Sequence, residues 1–190
     1  MNPQHWIFLS PHLDDVTLSC GALIRDLTSQ GQRVEIWTLM AGIPKDENFS
    51  VFAQQMHQIW GMTGKEVVSR RQAEDRAACE VLGAQHRHLA YLDVIYRYDT
   101  VSGAPLVNND DELFGKTPEK QLVNAIVRKL QDEIPADAQV VLPMGLGNHV
   151  DHQAVAQAGE VLKRRRYYAD YPYVLKSYDC LLYTSDAADE

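Results

Sequence analysis

The sequence predicts an α/β fold, with a mainly parallel sheet and helices on both faces. Three observations carry this expectation. Short apolar runs alternate with segments of helical periodicity, the intervals between runs are long enough for crossover helices, and clusters of His and Asp follow two of the runs directly. Alternation of this kind implies parallel strands joined by helical crossovers. In such sheets ligands bind beyond the carboxyl ends of the strands.

Taken in order, the first strand is "HWIFLS" (5–10), an apolar run of the buried type. A helix over 16–30 follows, with Leu18, Ala22, Leu23 and Leu27 at helical spacing and Gly31 placed to stop it. "RVEIWTL" (33–39) is the second strand, and helices over 50–60 and 66–82 precede the stop at Gly83. "HRHLAYL" (86–92) is the third strand. The segment 93–116 after it carries Asp, Arg and Tyr rather than core residues, and reads as a functional loop. "TPEKQ" starts a helix over 117–133, with Thr117 as N-cap, Pro118 in the first turn, and Leu122, Ala125, Ile126, Lys129 and Leu130 in register. "QVVLP" (139–143) is the fourth strand, a helix over 150–166 follows, and "YVLKS" (173–177) completes the sheet. The basic run Lys163–Arg166 then falls late in a helix, where cations suit the C-terminal end of the dipole.

A chain of 190 residues, 45% hydrophobic and 23% charged, fits one globular domain able to bury a core without disulfides. The net charge of −8 argues against a nucleic-acid groove or an anionic membrane as partner. Cys20, Cys79 and Cys180 stand in no C-x-x-C spacing, which argues against a thiolate zinc site and fits a reducing compartment. With no signal-like start and no long apolar stretch, the expectation is a cytoplasmic protein without membrane insertion; homo-oligomerisation is left open. The last residues, "CLLYTSDAADE" (180–190), are identified as the translation of a common transposase sequencing adapter. They are therefore set apart from fold reasoning, and residues 1–179 are read as a single domain, incomplete at its C-terminus.

The chemistry lies after strands one and four. "SPHLDD" sets His12, Asp14 and Asp15 at the end of the first strand. A buried unpaired charge costs several kcal/mol, so the cluster calls for water, a counter-charge or a metal. His12 and Asp15 are three apart and share a side of a helical first turn; His149 and His152 repeat the spacing. Either of these histidines, with His12 and Asp15, completes the three-ligand set of catalytic zinc, which leaves a fourth position for water. The expectation is one Zn2+ per chain, with iron or cobalt fitting the donors less exclusively. Zinc lowers the pKa of its water from about 15.7 to about 7. Asp14 would face the fourth position and accept the proton of that water, and the remaining histidine would stabilise an oxyanion or protonate a leaving amine. Asp151 would orient one of its two neighbouring histidines from behind. His5, His57, His86 and His88 lack such company and read as structural or exposed. "GLGN" (145–148) lacks the third glycine of a dinucleotide loop, "DDVT" (14–17) lacks the Asp-x-Asp of haloacid-dehalogenase-like phosphatases, and neither a P-loop nor a G-x-S-x-G elbow occurs.

These motifs resemble those of the LmbE-like, or PIG-L, family of zinc-dependent deacetylases, which carry "PHxDD" after strand one and "HxDH" later. Both stand here, at Pro11–Asp15 and His149–His152. The segments 70–84, 91–97, 113–115, 143–152 and 167–174 also resemble family segments, in order. The resemblance implies a Rossmann-like three-layer sandwich and hydrolysis of an N-acetyl group, usually from an N-acetylglucosamine-type sugar or conjugate. It implies His12, Asp15 and His152 as zinc ligands, Asp14 as general base, and His149 as oxyanion stabiliser or acid. Arg71 would contact the substrate, with Asp93 and Arg97 as further candidates. Two alternatives share the same site: a metal-dependent amidase or esterase on a non-sugar substrate, and a carbohydrate- or metal-binding fragment without turnover.

Overall fold

The computed structural model describes residues 3–62 and 64–175. Five strands form one sheet of order β3-β2-β1-β4-β5, and every pair is parallel. They are β1 (His5–Ser10), β2 (Arg33–Thr38), β3 (Gln85–His88), β4 (Gln139–Pro143) and β5 (Arg165–Tyr168). The helices are α1 (Asp15–Ser29), α2 (Val51–Trp60), α3 (Gly64–Leu82), α4 (Asp110–Gly115), α5 (Lys120–Glu133) and α6 (Val150–Gly159).

The alternation of side chains along β1 builds two cores. Ile7 and Leu9 face one side, where Ile126 and Leu130 of α5 and Ala154, Val155 and Ala158 of α6 cover the sheet. Phe8 faces the other, against Val16, Cys20 and Ile24 of α1 and Cys79 of α3. Helices thus flank both faces, and the sheet is a three-layer sandwich. A third cluster packs Leu13, Phe52, Ala53 and Val68 against Val94, Ile95, Tyr96, Val107 and Leu113, at the carboxyl end of the strands. The segment 93–116 therefore supplies core residues of its own, contrary to its reading as a loop without them.

Three further expectations are corrected. The fifth strand is 165–168 rather than 173–177; of the latter run, residues 176–177 lie outside the described residues, as does the whole of 180–190. The helix expected over 150–166 ends at Gly159, and the basic run leads into β5 instead of closing a helix; at Gly159 a Cβ would stand 2.6 Å from the Leu142 side chain. The helix expected from Thr117 starts at Lys120 with Glu119 as its cap. Gly31 and Gly83 do end their helices, at φ 76° and 74°, a conformation that favours glycine.

Because β2 and β3 lie on one side of β1 while β4 and β5 lie on the other, the connections leave the sheet in opposite directions between β1 and β4. That divergence opens a crevice at the carboxyl ends of these two strands. Both histidine motifs follow them.

Candidate active site

After Ser10 the chain turns through Pro11–Asp14 into α1. Ser10 Oγ donates to the His12 carbonyl (2.6 Å) and accepts from the Val16 N–H (3.2 Å), while Asp15 Oδ2 accepts from the His12 N–H (2.8 Å). The turn is closed on itself, and Asp14 is held at φ 101°, a conformation L side chains rarely adopt.

The structure brings His12, Asp15, His149 and His152 to one place. Asp15 Oδ2 lies 3.3 Å from His12 Nδ1 and 3.2 Å from His152 Nε2. The His12 ring centroid is 4.8 Å from that of His149 and 5.3 Å from that of His152. Among the described residues, two triplets place their potential ligand atoms within 4.8 Å of one another: His12, His149 and His152, and His12, Asp93 and Asp151. His152 is fully buried. Its Nδ1 bonds Asp170 Oδ1 at 2.6 Å, while its Nε2 is buried without a hydrogen-bond partner. That nitrogen still faces Asp15 Oδ2 at 3.2 Å, so His12 and His152 converge on one carboxylate oxygen. Imidazole and carboxylate without thiolate are donors that suit a divalent metal such as zinc.

The electrostatics are those of a tightly paired cluster. Burial pushes the Asp15 carboxyl up, but the imidazoles of His152 and His12 hold it well below the usual carboxylate range. Burial opposes charge on His12 and His152 too, yet Asp93, Asp15 and Asp151 hold His12 well above its ordinary value, and Asp15 and Asp170 raise His152. His149 differs: burial and then the neighbouring His12 pull it down to about 3, so it is neutral. Its Nδ1 accepts the Asp151 N–H at 3.2 Å and caps α6, which leaves the ring proton on Nε2.

The remaining sequence candidates are placed as follows. Asp14 stands at the rim, its side chain 58% exposed; partial desolvation raises its pKa against the pull of Arg71. Arg71 reaches the Leu13 carbonyl (2.8 Å) and Asp14 Oδ1 (3.4 Å), and stacks over Trp60 at 5.3 Å. Asp93 Oδ1 accepts from the Ile95 N–H, and its Oδ2 lies 3.7 Å from His12 Nε2. Asp151 turns away from its sequence neighbours: its carboxylate meets His12 Nε2 at 3.0 Å and the Val94 N–H at 2.9 Å, so it orients His12 across the crevice rather than His149 or His152. Arg97 is set behind that pair instead of at the mouth. It is bonded to Asp151 (2.7 Å), Glu119 (3.0 Å) and the Leu92 carbonyl (2.9 Å), which removes it from the positions a substrate could touch.

Sequence reasoning did not single out Asp170, which orients His152, or the aromatic wall of Phe114 and Tyr173. The Phe114 ring lies 5.5 Å from His149 and the Tyr173 ring 5.3 Å from His152. Gly147, at φ 79°, lies so close to Tyr173 that a Cβ would meet the ring at 2.8 Å. Asp170 follows β5 directly, and the rule that pointed to the ends of β1 and β4 applies there once the strand is placed correctly.

The family profile for GlcNAc-PI de-N-acetylases (PIG-L) matches residues 7–162. A 2'-N-acetylparomamine deacetylase of Niallia circulans is 29% identical over 188 residues, covering 88% of this chain and 67% of its own. The crystal structure of a deacetylase–teicoplanin complex superposes with a TM-score of 0.76 at 31% identity, over 90% of this chain and 71% of that one. A zinc-inhibited form of the teicoplanin deacetylase Orf2 gives 0.74 at 30% identity, over 90% and 69%. Fold and relatives together define the class: a deacetylase, a hydrolase that cleaves an amide bond. Within that class the chain belongs to the PIG-L family. No helix among the described residues is long and apolar enough to cross a membrane.

Proposed function

We propose that the protein is a zinc-dependent hydrolase that removes an N-acetyl group from an N-acetylglucosamine-type sugar or sugar conjugate in the cytoplasm. The observation that carries this reading is the convergence of buried His152 Nε2 and His12 Nδ1 on one Asp15 oxygen, at 3.2 and 3.3 Å. His12, Asp15 and His152 would hold one zinc ion per chain, with Asp151 and Asp170 fixing the two imidazoles from behind. Zinc bound there acidifies water and polarises the acyl carbonyl.

The rest of the chemistry belongs to side chains. Asp14, at the rim and raised in pKa, takes the proton of the attacking water. His149, neutral and protonated on Nε2, donates a hydrogen bond to the carbonyl oxygen as charge develops on it. Asp14 then returns its proton to the sugar nitrogen as the C–N bond breaks, giving acetate and a free amine. Phe114 and Tyr173 wall the pocket beside the histidines, and aromatic faces of this kind suit the apolar faces of a sugar ring. A relative named for deacetylation of 2'-N-acetylparomamine and one solved in complex with teicoplanin support the substrate class.

The test is acetate release by the zinc-supplied full chain from a panel of N-acetylated amino sugars, with Asp14→Asn as control. The reading expects turnover that falls by about 10²–10⁴ in the variant, the range for removal of a general base. Turnover unchanged in Asp14→Asn would overturn the assignment of the base.

A further inference from the structure

The peptide bond that precedes Asp14 is gripped at both ends by one helix. Arg71 Nη2 donates to the Leu13 carbonyl at 2.8 Å, and the Asp14 N–H donates to Asp75 Oδ1 at 3.4 Å. Leu13 C=O and Asp14 N–H are the two poles of a single peptide unit. Arg71 and Asp75 are four residues apart on α3 and so project from the same face, one turn from each other. A cation therefore meets the peptide's oxygen while an anion meets its N–H, and the pair fixes the plane whose orientation sets φ of Asp14.

Both arms are themselves braced. Asp75 is buried, 4% exposed, and its other oxygen bonds His88 Nε2 at 2.7 Å, at the end of β3. The Arg71 guanidinium lies over the Trp60 ring. A buried carboxylate in a helix interior is costly unless it is fully partnered. Here its two oxygens serve one histidine and one backbone amide, and neither partner is a candidate metal ligand.

The ligands on the same turn are held by other means. His12 and Asp15 are tied together through the His12 N–H and are flanked by the two Ser10 hydroxyl bonds. We infer that Arg71 and Asp75, backed by His88, form a peptide clamp that holds Asp14 in its left-handed conformation and so aims its carboxylate, making Asp75 and His88 positioning residues for the base. A left-handed non-glycine residue is strained and persists only where its surroundings enforce it. The clamp is that enforcement. Arg71, assigned by resemblance to substrate contact, has this second task.

This inference rests on the reading of Asp14 as base, and the test separates the two. Asp75→Ala and Asp75→Asn are compared with the parent chain for zinc affinity by competition with a chromophoric chelator, and for kcat and KM of acetate release from N-acetylglucosamine or the best substrate of the panel. Asp14→Asn is measured alongside. The clamp predicts that Asp75→Ala lowers kcat at least tenfold while KM and zinc affinity stay within about threefold. Asp75→Asn keeps an acceptor for the Asp14 N–H and should recover most of the loss, which a general failure to fold would not allow. A kcat within threefold of the parent in Asp75→Ala overturns the clamp, as does a fall in zinc affinity that matches the fall in kcat. Parent-like kcat in Asp14→Asn strikes the base assignment alone; the clamp is then judged by whether Asp14 leaves positive φ in a crystal structure of Asp75→Ala.

Discussion

Removing the Asp170 carboxylate should loosen the proposed metal site through His152. Asp170 is 1% exposed; one oxygen bonds His152 Nδ1 at 2.6 Å, and the other accepts the N–H groups of Gly145 and Leu146 at 3.0 and 3.2 Å. It thus locks the imidazole in the tautomer that leaves Nε2 free, and ties that imidazole to the turn after β4. In Asp170→Ala the buried Nδ1–H loses its acceptor, at a cost of about 1–3 kcal/mol. Loss of a carboxylate behind a ligating histidine typically lowers metal affinity by about 10–100-fold. In Asp170→Asn a single amide oxygen must choose between the imidazole and the backbone N–H pair, so that variant should fall between the parent and Asp170→Ala. Competitive zinc titration measures the affinity, and thermal melting with and without zinc separates it from folding. Zinc affinity within twofold of the parent in a folded Asp170→Ala chain would refute the argument that Asp170 prepares His152.

Three other outcomes follow from the same geometry. Zinc must displace protons from His12 and His152, whose pKa values stand above the ordinary imidazole value; zinc affinity should therefore climb as pH rises from about 6, with proton release measurable by calorimetry in buffers of different ionisation enthalpy. In the zinc-free chain the sign reverses for stability. A raised folded-state pKa stabilises below the unfolded value of about 6.5, and that contribution fades as pH rises through the folded-state value, so the metal-free melting temperature should drop on the alkaline side. Arg97→Ala removes the guanidinium from buried Asp151 and leaves it His12 and the Val94 N–H, which should destabilise the chain by about 1.5–3 kcal/mol in urea unfolding. A change below about 1 kcal/mol would show that Asp151 finds compensation elsewhere.

The parallel sheet and its helices were legible because β1, β2 and β4 are apolar runs and α5 shows clear periodicity; in α1 the stripe read from Leu18, Ala22 and Leu23 is exposed, and the buried face is Val16, Cys20 and Ile24. β5 was not, since "RRYY" at a sheet edge leaves only Tyr168 buried and carries no apolar signature. The residues beyond Gly159 continue the apolar pattern with Val161 and Leu162, so periodicity runs past the helix end, and nothing local in the sequence marks the stop. At the site, the two short motifs gave His12, Asp14, Asp15, His149 and His152 as a group, because each motif sits on one turn. Asp170 and Asp75 act across the fold and have no spacing to reveal them. Asp75 did leave one trace: it shares the stripe of Arg71 and buried Cys79 at helical intervals, and a carboxylate on a buried stripe calls for partners. Arg97 reads in sequence as a substrate contact or one arm of a salt bridge, and the packing of Asp151 and Glu119 around it decides for the salt bridge.

Zinc stoichiometry measured on the purified full chain, with His152→Ala beside it, tests the central claim most directly. The account predicts close to one zinc per folded parent chain and loss of tight binding in the variant, with its fold retained by circular dichroism. A folded parent chain that takes up no zinc, or a variant that binds as tightly as the parent, would contradict it.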